Sequence, residues 1–271
     1  MRLTVVTINY NNAVGLEKTM KSVVSQSRTD FEYVVVDGAS SDGSVEVIRR
    51  YASAFSSPIK WLSEPDNGIY NAMNKGIRMA SGEYLEFLNS GDCFVSENVI
   101  GEIYDAMEKQ GCPSILYGNM LKSMMDGRVI RDKGFAGQDI TFLGFYIGTL
   151  NHSSAIIRKD LFDKYGSYDE SLRIVSDWKW FLLAIVFGGE KPIYSDFDIS
   201  LFDMGGISET NVKLTRAERR KVLEDCVPSA FLADYKQWSS AIQRMKRIQR
   251  HPWAAKIVRL IERYLFKLEK Y

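Results

Sequence analysis

The residues best suited to chemistry in this chain are four aspartates, Asp37, Asp66, Asp92 and Asp177, three of which stand just beyond short apolar runs. The stretch Glu83–Phe94 (Glu-Tyr-Leu-Glu-Phe-Leu-Asn-Ser-Gly-Asp-Cys-Phe) shows the pattern most plainly. Tyr84, Leu85, Phe87 and Leu88 read as a short buried strand opened by the turn Ala80-Ser81-Gly82, and Asn89-Ser90-Gly91-Asp92 cannot continue it. In an open α/β sheet, ligands bind just outside the carboxyl ends of the strands. A lone carboxylate there, beside a flexible glycine, is suited to hold a hard cation, and such a cation neutralises a diphosphate. Taken alone, the same residues make an ordinary turn, or an N-cap for a helix beginning at Ser96-Glu97.

The elements that must position these acids follow from periodicity. β-rich runs recur at Leu3–Ile8, Phe31–Val36, Ile59–Leu62, Tyr84–Leu88 and Ile115–Tyr117. Stretches of helical period separate the first four, over Val14–Val24, Val45–Phe55 and Ile69–Ala80, and a helix over Ser96–Lys109 covers the next connection. This alternation predicts parallel βαβ units with right-handed crossovers. Each early strand ends in polar residues: Thr7-Ile8-Asn9-Tyr10-Asn11-Asn12, Asp37–Ser44, Glu64–Gly68 and Asn89–Asp92. Parallel strands bring such ends to one edge, so Asp37, Asp66 and Asp92 are expected to share a cleft. Carboxylates gathered in this way repel one another unless a cation or a hydrogen-bonding ligand joins them. Beyond Tyr117 the rhythm breaks. Expected there are a hairpin around Asp126-Gly127, a strand over His152–Arg158, a helix over Lys159–Tyr165 and a buried helix with Ser176 as N-cap. A strand or pair over Ile193–Asp203 follows, and only helices from Leu214 onward.

Length and composition narrow the class. At 271 residues the chain can bury a full core in one large domain, or one domain plus an appendage. With 45% hydrophobic and 12% aromatic residues it reads as globular rather than disordered. Three cysteines without a CxxC predict no disulfide framework and a reducing compartment, and two histidines argue against a multi-histidine zinc site. The N-terminus Met1–Thr7 turns polar too soon for a signal peptide, and the apolar run Phe181–Phe187 stops at Gly188-Gly189, too short to span a bilayer. A soluble, cytoplasmic protein is expected. The first loop lacks G-x-G-x-x-G and the chain lacks a P-loop, which argues against dinucleotide-binding and P-loop chemistry. Net charge is +1, and no nucleic-acid partner is expected. Residues 236–271 carry ten Lys/Arg against two Glu, a local +8 that leaves the first 235 residues at −7.

Four ordered blocks carry a family resemblance: Val5-Val6-Thr7-Ile8-Asn9-Tyr10-Asn11, then Val35-Val36-Asp37-Gly38-Ala39-Ser40-Ser41-Asp42-Gly43, then Glu64 through Gly76, then Gly82 through Asp92. Together they resemble a family 2 glycosyltransferase over roughly residues 3–210, and are most similar to bacterial enzymes that build capsular and exopolysaccharide repeat units. The resemblance implies an α/β fold of GT-A type, a Rossmann-like, mostly parallel central sheet flanked by helices. It implies a catalytic domain over 1–210, with a nucleotide-sugar-binding half (1–118) and an acceptor half (119–210), followed by a basic helical extension over 211–271. It further implies a nucleoside-diphosphate-sugar donor (UDP favoured), a divalent Mg²⁺ or Mn²⁺, inversion at the anomeric carbon, and a saccharide or lipid-linked saccharide acceptor.

Carried over block by block, Thr7, Asn9 and Tyr10 fall near the base and ribose, Asp37 on the base, and Asp66 near the nucleotide or donor sugar; Asn74, Ser90 and Gly91 also fall among the nucleotide-sugar contacts. The family's Asp-x-Asp metal motif reads Ser90-Gly91-Asp92 here, so Asp92 alone supplies charge, with Ser90 a neutral possible ligand; Asn71 stands where relatives often carry Asp. The family's catalytic acid pair matches Ser176-Asp177-Trp178, making Asp177 the candidate base; the plain alternative is an acid favoured by a helix dipole. His152 is either an acceptor-site group or a satisfied structural histidine, and Trp178 either packs the core or floors the acceptor sugar. Some relatives bind metal through a histidine near the end of the last strand. Asp203-Met204-Gly205-Gly206 offers none, so no histidine ligand is assigned.

Trp253, Ile257, Leu260, Ile261, Tyr264, Leu265 and Leu268 share one helical face with Lys256, Arg259, Arg263 and Lys267 around it. That helix either lies on an anionic membrane, at the inner face of the plasma membrane, or packs on the body or on a second subunit in a homodimer. Two rivals remain: a sugar-phosphate nucleotidyltransferase, although Tyr10-Asn11-Asn12-Ala13 is not the Gly-rich, Arg-containing loop such enzymes carry, and a non-catalytic nucleotide-sugar-binding subunit, which the reduced metal motif would suit. Donor and acceptor choice is expected to rest on the stretch Met120–Thr149.

Overall fold

In the computed structural model, which describes residues 2–268 except 54, 56–57, 125–126, 137 and 206–210, strand and helix alternate from the start. The order is β1 (Leu3–Asn9), α1 (Ala13–Val24), β2 (Glu32–Asp37), α2 (Ser44–Ala52), β3 (Lys60–Ser63), α3 (Ile69–Met79) and β4 (Tyr84–Phe87). Every residue of β1, β2 and β4 is buried, as befits strands covered on both faces. Helix α1 turns Leu16, Met20 and Val23 inward at helical spacing. The four strands are parallel in the order β3-β2-β1-β4, with Asn9 beside Asp37 and Asp37 beside Ser63, so their polar ends align at one edge.

The second half is β5 (Cys93–Phe94), α4 (Val99–Lys109), β6 (Ile115–Ser123), β7 (Val129–Asp132), α5 (Phe142–Ile147), a 3₁₀ turn (His152–Ser154), β8 (Ala155–Arg158) and α6 (Asp160–Tyr165). Then come α7 (Ser176–Phe181), running into a π-helical turn (Leu182–Phe187), and β9 (Ile193–Asp203). Among the described residues one sheet runs β3-β2-β1-β4-β8-β6-β9-β5, with β7 on β6. Strand β8 is antiparallel to both β4 and β6, while β6 and β9 are parallel with register shifts around Asn119.

Several expectations change. The expected helix over Ser96–Lys109 begins at Val99, because the Ser96 hydroxyl takes the Asn98 N–H in a local turn. His152 lies on the 3₁₀ turn rather than in a strand, and Ile193–Asp203 is a single strand. Ser176 is not an N-cap: it sits inside α7, with its hydroxyl accepting the Asp169 N–H at 2.5 Å. The hairpin forms with Met120 opposite Asp132; Asp126 at its apex lies outside the described residues.

The chain forms two compact units, Met1–Arg220 and Lys221–Tyr271, the boundary falling within α8 (Val212–Cys226). The second unit continues as α9 (Ser229–Gln249) and α10 (Pro252–Leu268). Trp253, Ile257, Leu260, Ile261 and Leu265 are exposed on α10, whereas Ala254, Ala255 and Val258 are half-buried. The side chains of Tyr264 and Leu268 lie outside the described residues. Among the described residues no helix is long and apolar enough to cross a membrane.

Two glutamates inside the sheet show how donors decide the state of a buried acid. Glu32 accepts from Thr4 Oγ1, Ser81 Oγ, Ser81 N and Lys60 Nζ; burial alone would raise its pKa, yet these partners hold it at about 2. Glu86 on β4 is fully buried and neither carboxyl oxygen has a partner; burial first, then the charge of Asp92, pushes its pKa well above 4.5. Its penalty is therefore smallest below about pH 4.5, where folded and unfolded chains both hold the proton, and grows as pH rises toward the raised folded-state value. Glu86→Leu should raise Tm at pH 8, by an amount reflecting about 1–3 kcal/mol of relieved desolvation, and the gain should shrink toward pH 4.5. Thermal unfolding of both proteins across this range checks it; a variant less stable throughout would contradict it.

Candidate active site at the carboxyl edge of the sheet

The edge formed by β1, β2 and β3 is organised by Asp37, the last residue of β2, which is 0% exposed. Its carboxylate accepts from Asn9 Nδ2 (2.7 Å), Ser40 N (2.9 Å), Ser40 Oγ (2.6 Å) and Ser63 Oγ (2.7 Å). Burial opposes ionisation here, but these bonds outweigh it and hold the pKa below its ordinary value. Asn9 in turn accepts from Ser90 Oγ at 2.7 Å, so side chains join the ends of all four parallel strands. Beside this path, Tyr10 stands exposed and Asp66 folds back over Gly38. A Cβ at Gly38 would lie 2.5 Å from Asp66 Oδ2 and 3.1 Å from the Tyr10 ring, so glycine is what lets both lie against the backbone.

Two residues expected among the nucleotide contacts are instead internal. Thr7 is fully buried, donating to Leu88 O at 2.7 Å and meeting Tyr33 OH at 3.0 Å. Asn74 is 3% exposed and clamps a distant loop, exchanging bonds with Tyr168 N and O and donating to Glu170 Oε1.

The turn after β4 makes the acidic rim. Gly91 has φ +107, and Lys18 Nζ donates to its carbonyl at 2.9 Å. Asp92 is 4% exposed, and its Oδ1 accepts the Asp203 N–H at 2.9 Å. Burial drives its pKa up to about 6, opposed by that N–H and by the charges of His152 and Lys18, and reinforced by Asp203. Asp203, at the end of β9, brings a second carboxylate against the turn, with Oδ2 3.0 Å from where a Gly91 Cβ would stand. Asp203 lies outside the sequence blocks quoted above; its signal in the sequence is an acid closing a strand before Gly205-Gly206. Asp92 and Asp203 are hard oxygen donors, and the former is buried with too little positive charge nearby, so the pair fits a divalent cation. Among the described residues no three His, Cys, Asp or Glu form a cluster that could hold a metal.

The third part is Asp177, in the first turn of α7. Its Oδ1 accepts from Tyr70 OH at 2.8 Å and its Oδ2 lies 3.1 Å from His152 Nδ1; His152 Nε2 lies 3.2 Å from Asn89 Nδ2, at the end of β4. Burial would raise the Asp177 pKa, but the hydrogen bond and charge of His152, then Tyr70, hold it below its ordinary value. His152 is the mirror case, burial lowering and Asp177 and Asp92 raising, with a net rise. Helix α7 is anchored from afar: Glu218 of α8 accepts the N–H groups of Arg173 (2.8 Å), Ile174 (3.0 Å) and Val175 (3.3 Å). Trp178 does not floor a sugar site. It is 2% exposed, donates Nε1–H to Phe145 O at 3.0 Å, and has the Arg219 guanidinium 4.9 Å over its ring.

A parallel half-sheet with an acid-lined carboxyl edge, continued by a mixed half that adds a further aspartate, is the architecture of GT-A enzymes. The model of Glycosyl transferase family 2 matches residues 4–166, and the chain belongs to that family. It is 34% identical over 185 residues to the uncharacterized glycosyltransferase Rv1514c of Mycobacterium tuberculosis, covering 67% of this chain and 68% of that one. It is 24% identical over 205 residues to a PGL/p-HBAD biosynthesis glycosyltransferase of Mycobacterium bovis, covering 74% and 77%. Among solved structures, S. aureus TarS 1-349 in complex with UDP-GlcNAc aligns with a TM-score of 0.61 at 18% identity, over 75% of this chain and 58% of that one. The mannosyltransferase PcManGT of Pyrobaculum calidifontis, in complex with GDP-Man and Mn²⁺, aligns at 0.57 and 17%, over 74% and 56%.

The Glu218 anchor is testable by itself. Glu218→Ala leaves three N–H groups near the start of α7 without their acceptor and should cost at least about 2 kcal/mol, read as a lower urea midpoint with unchanged slope. A midpoint equal to that of the parent would show that the anchor contributes nothing.

Proposed function

We propose that this family 2 glycosyltransferase moves a sugar, with inversion, from a nucleoside diphosphate to a hydroxyl of a saccharide or lipid-linked saccharide acceptor in cell-surface polysaccharide synthesis. The observation that carries the reading is a nearly continuous line of polar contacts from Ser63 through Asp37, Asn9 and Ser90, and from the adjacent Asn89 through His152 to Asp177. In this reading one edge carries a base-binding end, an acidic rim and a proton acceptor in sequence. The nucleotide ligands of TarS and PcManGT support a nucleotide-sugar donor, UDP favoured, and the Mn²⁺ of the latter supports a divalent metal.

In this reading Asp37, Asn9 and Tyr10 hold the nucleoside, with Asp66 beside them, and Asp92 with Asp203 would hold Mg²⁺ or Mn²⁺. When bound, the cation supplies charge neutralisation for the departing diphosphate. Asp177 takes the proton of the acceptor hydroxyl as its oxygen bonds to the anomeric carbon; the bond from that carbon to the phosphate oxygen breaks, and its electron pair leaves with the nucleoside diphosphate. The two oxygens of Asp177 divide Tyr70 and His152 between them, and each retains a lone pair for that proton. Asp177→Ala should lower kcat by about 10²–10⁴-fold with little change in donor affinity, and Asp92→Ala should abolish metal-dependent release of nucleoside diphosphate. Donor binding without any turnover in the parent, whatever acceptor is offered, would instead favour a non-catalytic nucleotide-sugar-binding subunit.

We further propose that α10 rests on an anionic membrane surface at the inner face of the plasma membrane, which suits a lipid-linked acceptor. Its exposed face of Trp253, Ile257, Leu260, Ile261 and Leu265 runs beside Lys256, Arg259 and Arg263. Ile257→Glu with Leu260→Glu should abolish co-sedimentation of the full chain with vesicles containing anionic lipid. Retained co-sedimentation, or loss of a dimer instead, would remove the membrane role.

A further inference from the structure

His152 touches both the candidate base and Asn89, just beyond β4, and the transfer step written above does not use it. Its Nδ1 is 3.1 Å from Asp177 Oδ2 and its Nε2 is 3.2 Å from the Asn89 amide nitrogen. Side-chain exposures of 20% for His152 and 17% for Asp177 leave the pair in reach of a hydroxyl yet largely out of water. We propose that His152 is a positioning residue for glycosyl transfer, a doubly protonated imidazole that fixes the rotamer and charge of Asp177 for its encounter with the acceptor. The inference rests on Asp177 being the base.

Three features argue for it. First, Asn89 Oδ1 is buried without a partner while its amide nitrogen faces the imidazole. Turning the amide over, which exchanges two atoms of nearly equal size, gives Oδ1 the Nε2–H it lacks, and requires both ring nitrogens to carry protons. Second, the charged groups around the ring favour a cation. Asp177 from α7 acts on it electrostatically, as does Asp92 from the turn after β4 in the metal-free protein, and Tyr70 from α3 bonds Asp177 rather than the ring. Tyr168, from the loop before α7, feels the Asp177 charge with its pKa raised by burial, and Arg219 of α8 lies over Trp178 as the opposing positive group. Third, the opposite side of Asp177 can accommodate an arriving proton. Tyr70 has one hydroxyl proton and two acceptors in reach, Asp177 Oδ1 at 2.8 Å and Ile174 O at 2.5 Å. Once Asp177 is protonated, Tyr70 can donate to Ile174 and accept from Asp177, while His152 stays in place.

Imidazole NMR on the full chain is the decisive experiment, because the protein has only two histidines and His251→Gln assigns the second. The His152 ring should remain doubly protonated above its ordinary midpoint of 6.5, and Asp177→Asn should lower that midpoint. His152→Gln should lower kcat by about 10–10³-fold with donor KM within about threefold, and should move the acidic limb of the kcat profile to higher pH as Asp177 loses its cation. A ring that is neutral at pH 6 in the parent, or a His152→Gln enzyme with parental kcat and pH limb, overturns the inference. Unimpaired turnover in Asp177→Asn would instead overturn the base assignment. Should His152→Gln fail to fold, the NMR titration of the parent still decides the protonation state.

Discussion

An ionised carboxylate cannot stay buried without donors, and that constraint shapes this protein's working edge. Asp37 is fully inside, and it stays charged because Asn9, Ser40 and Ser63 all point hydrogens at it. Those donors come from β1, the loop after β2, and β3, and Asn9 passes the connection on to Ser90 beyond β4. Side chains thus stitch the four strand ends together where the backbone ladder stops. A polar edge joined in this way is held by its own hydrogen bonds, which is the kind of preorganisation that binding and charge stabilisation need.

The supply of donors grades the acids of the sheet. Glu32, with four donor groups around it, is held at about 2; Asp92, with one backbone N–H, rises to about 6; Glu86, with none, rises well above 4.5. Burial raises all three, least at Glu32, so burial and the partners together set this order. The gradient also locates the place where outside positive charge is wanted. Asp203 lies against the same turn as Asp92, whereas Glu86 is fully buried in the sheet.

The surroundings of Asp177 are assembled differently, from elements remote in sequence. Tyr70 comes from α3, His152 from a 3₁₀ turn, Asp177 from a two-turn helix, and Glu218 from a helix more than forty residues further on. Tertiary bonds do what local capping does elsewhere. Ser176, the local candidate, instead receives the Asp169 N–H, and the backbone before α7 is bound by Glu218. Asn74 makes a similar bridge, tying α3 to the loop at Tyr168.

What the residue order determined alone was the parallel half of the sheet and the acids at its edge. Apolar runs alternating with helical period admit few arrangements, and each strand must end where Asp37, Asp66 or Asp92 and their small polar neighbours begin. The family blocks carried the same information in another form. Side-chain direction was decided only by the fold. Thr7 and Asn74 lie within recognisable blocks yet face inward, and Trp178 beside the candidate base is core. Pairings across long separations were equally out of reach, including Asp92 with Asp203, His152 with Asp177, and Glu218 with the start of α7. Local pattern reports how often a face recurs, whereas a hydrogen bond between residues a hundred positions apart exists only after the sheet has brought its strand ends together.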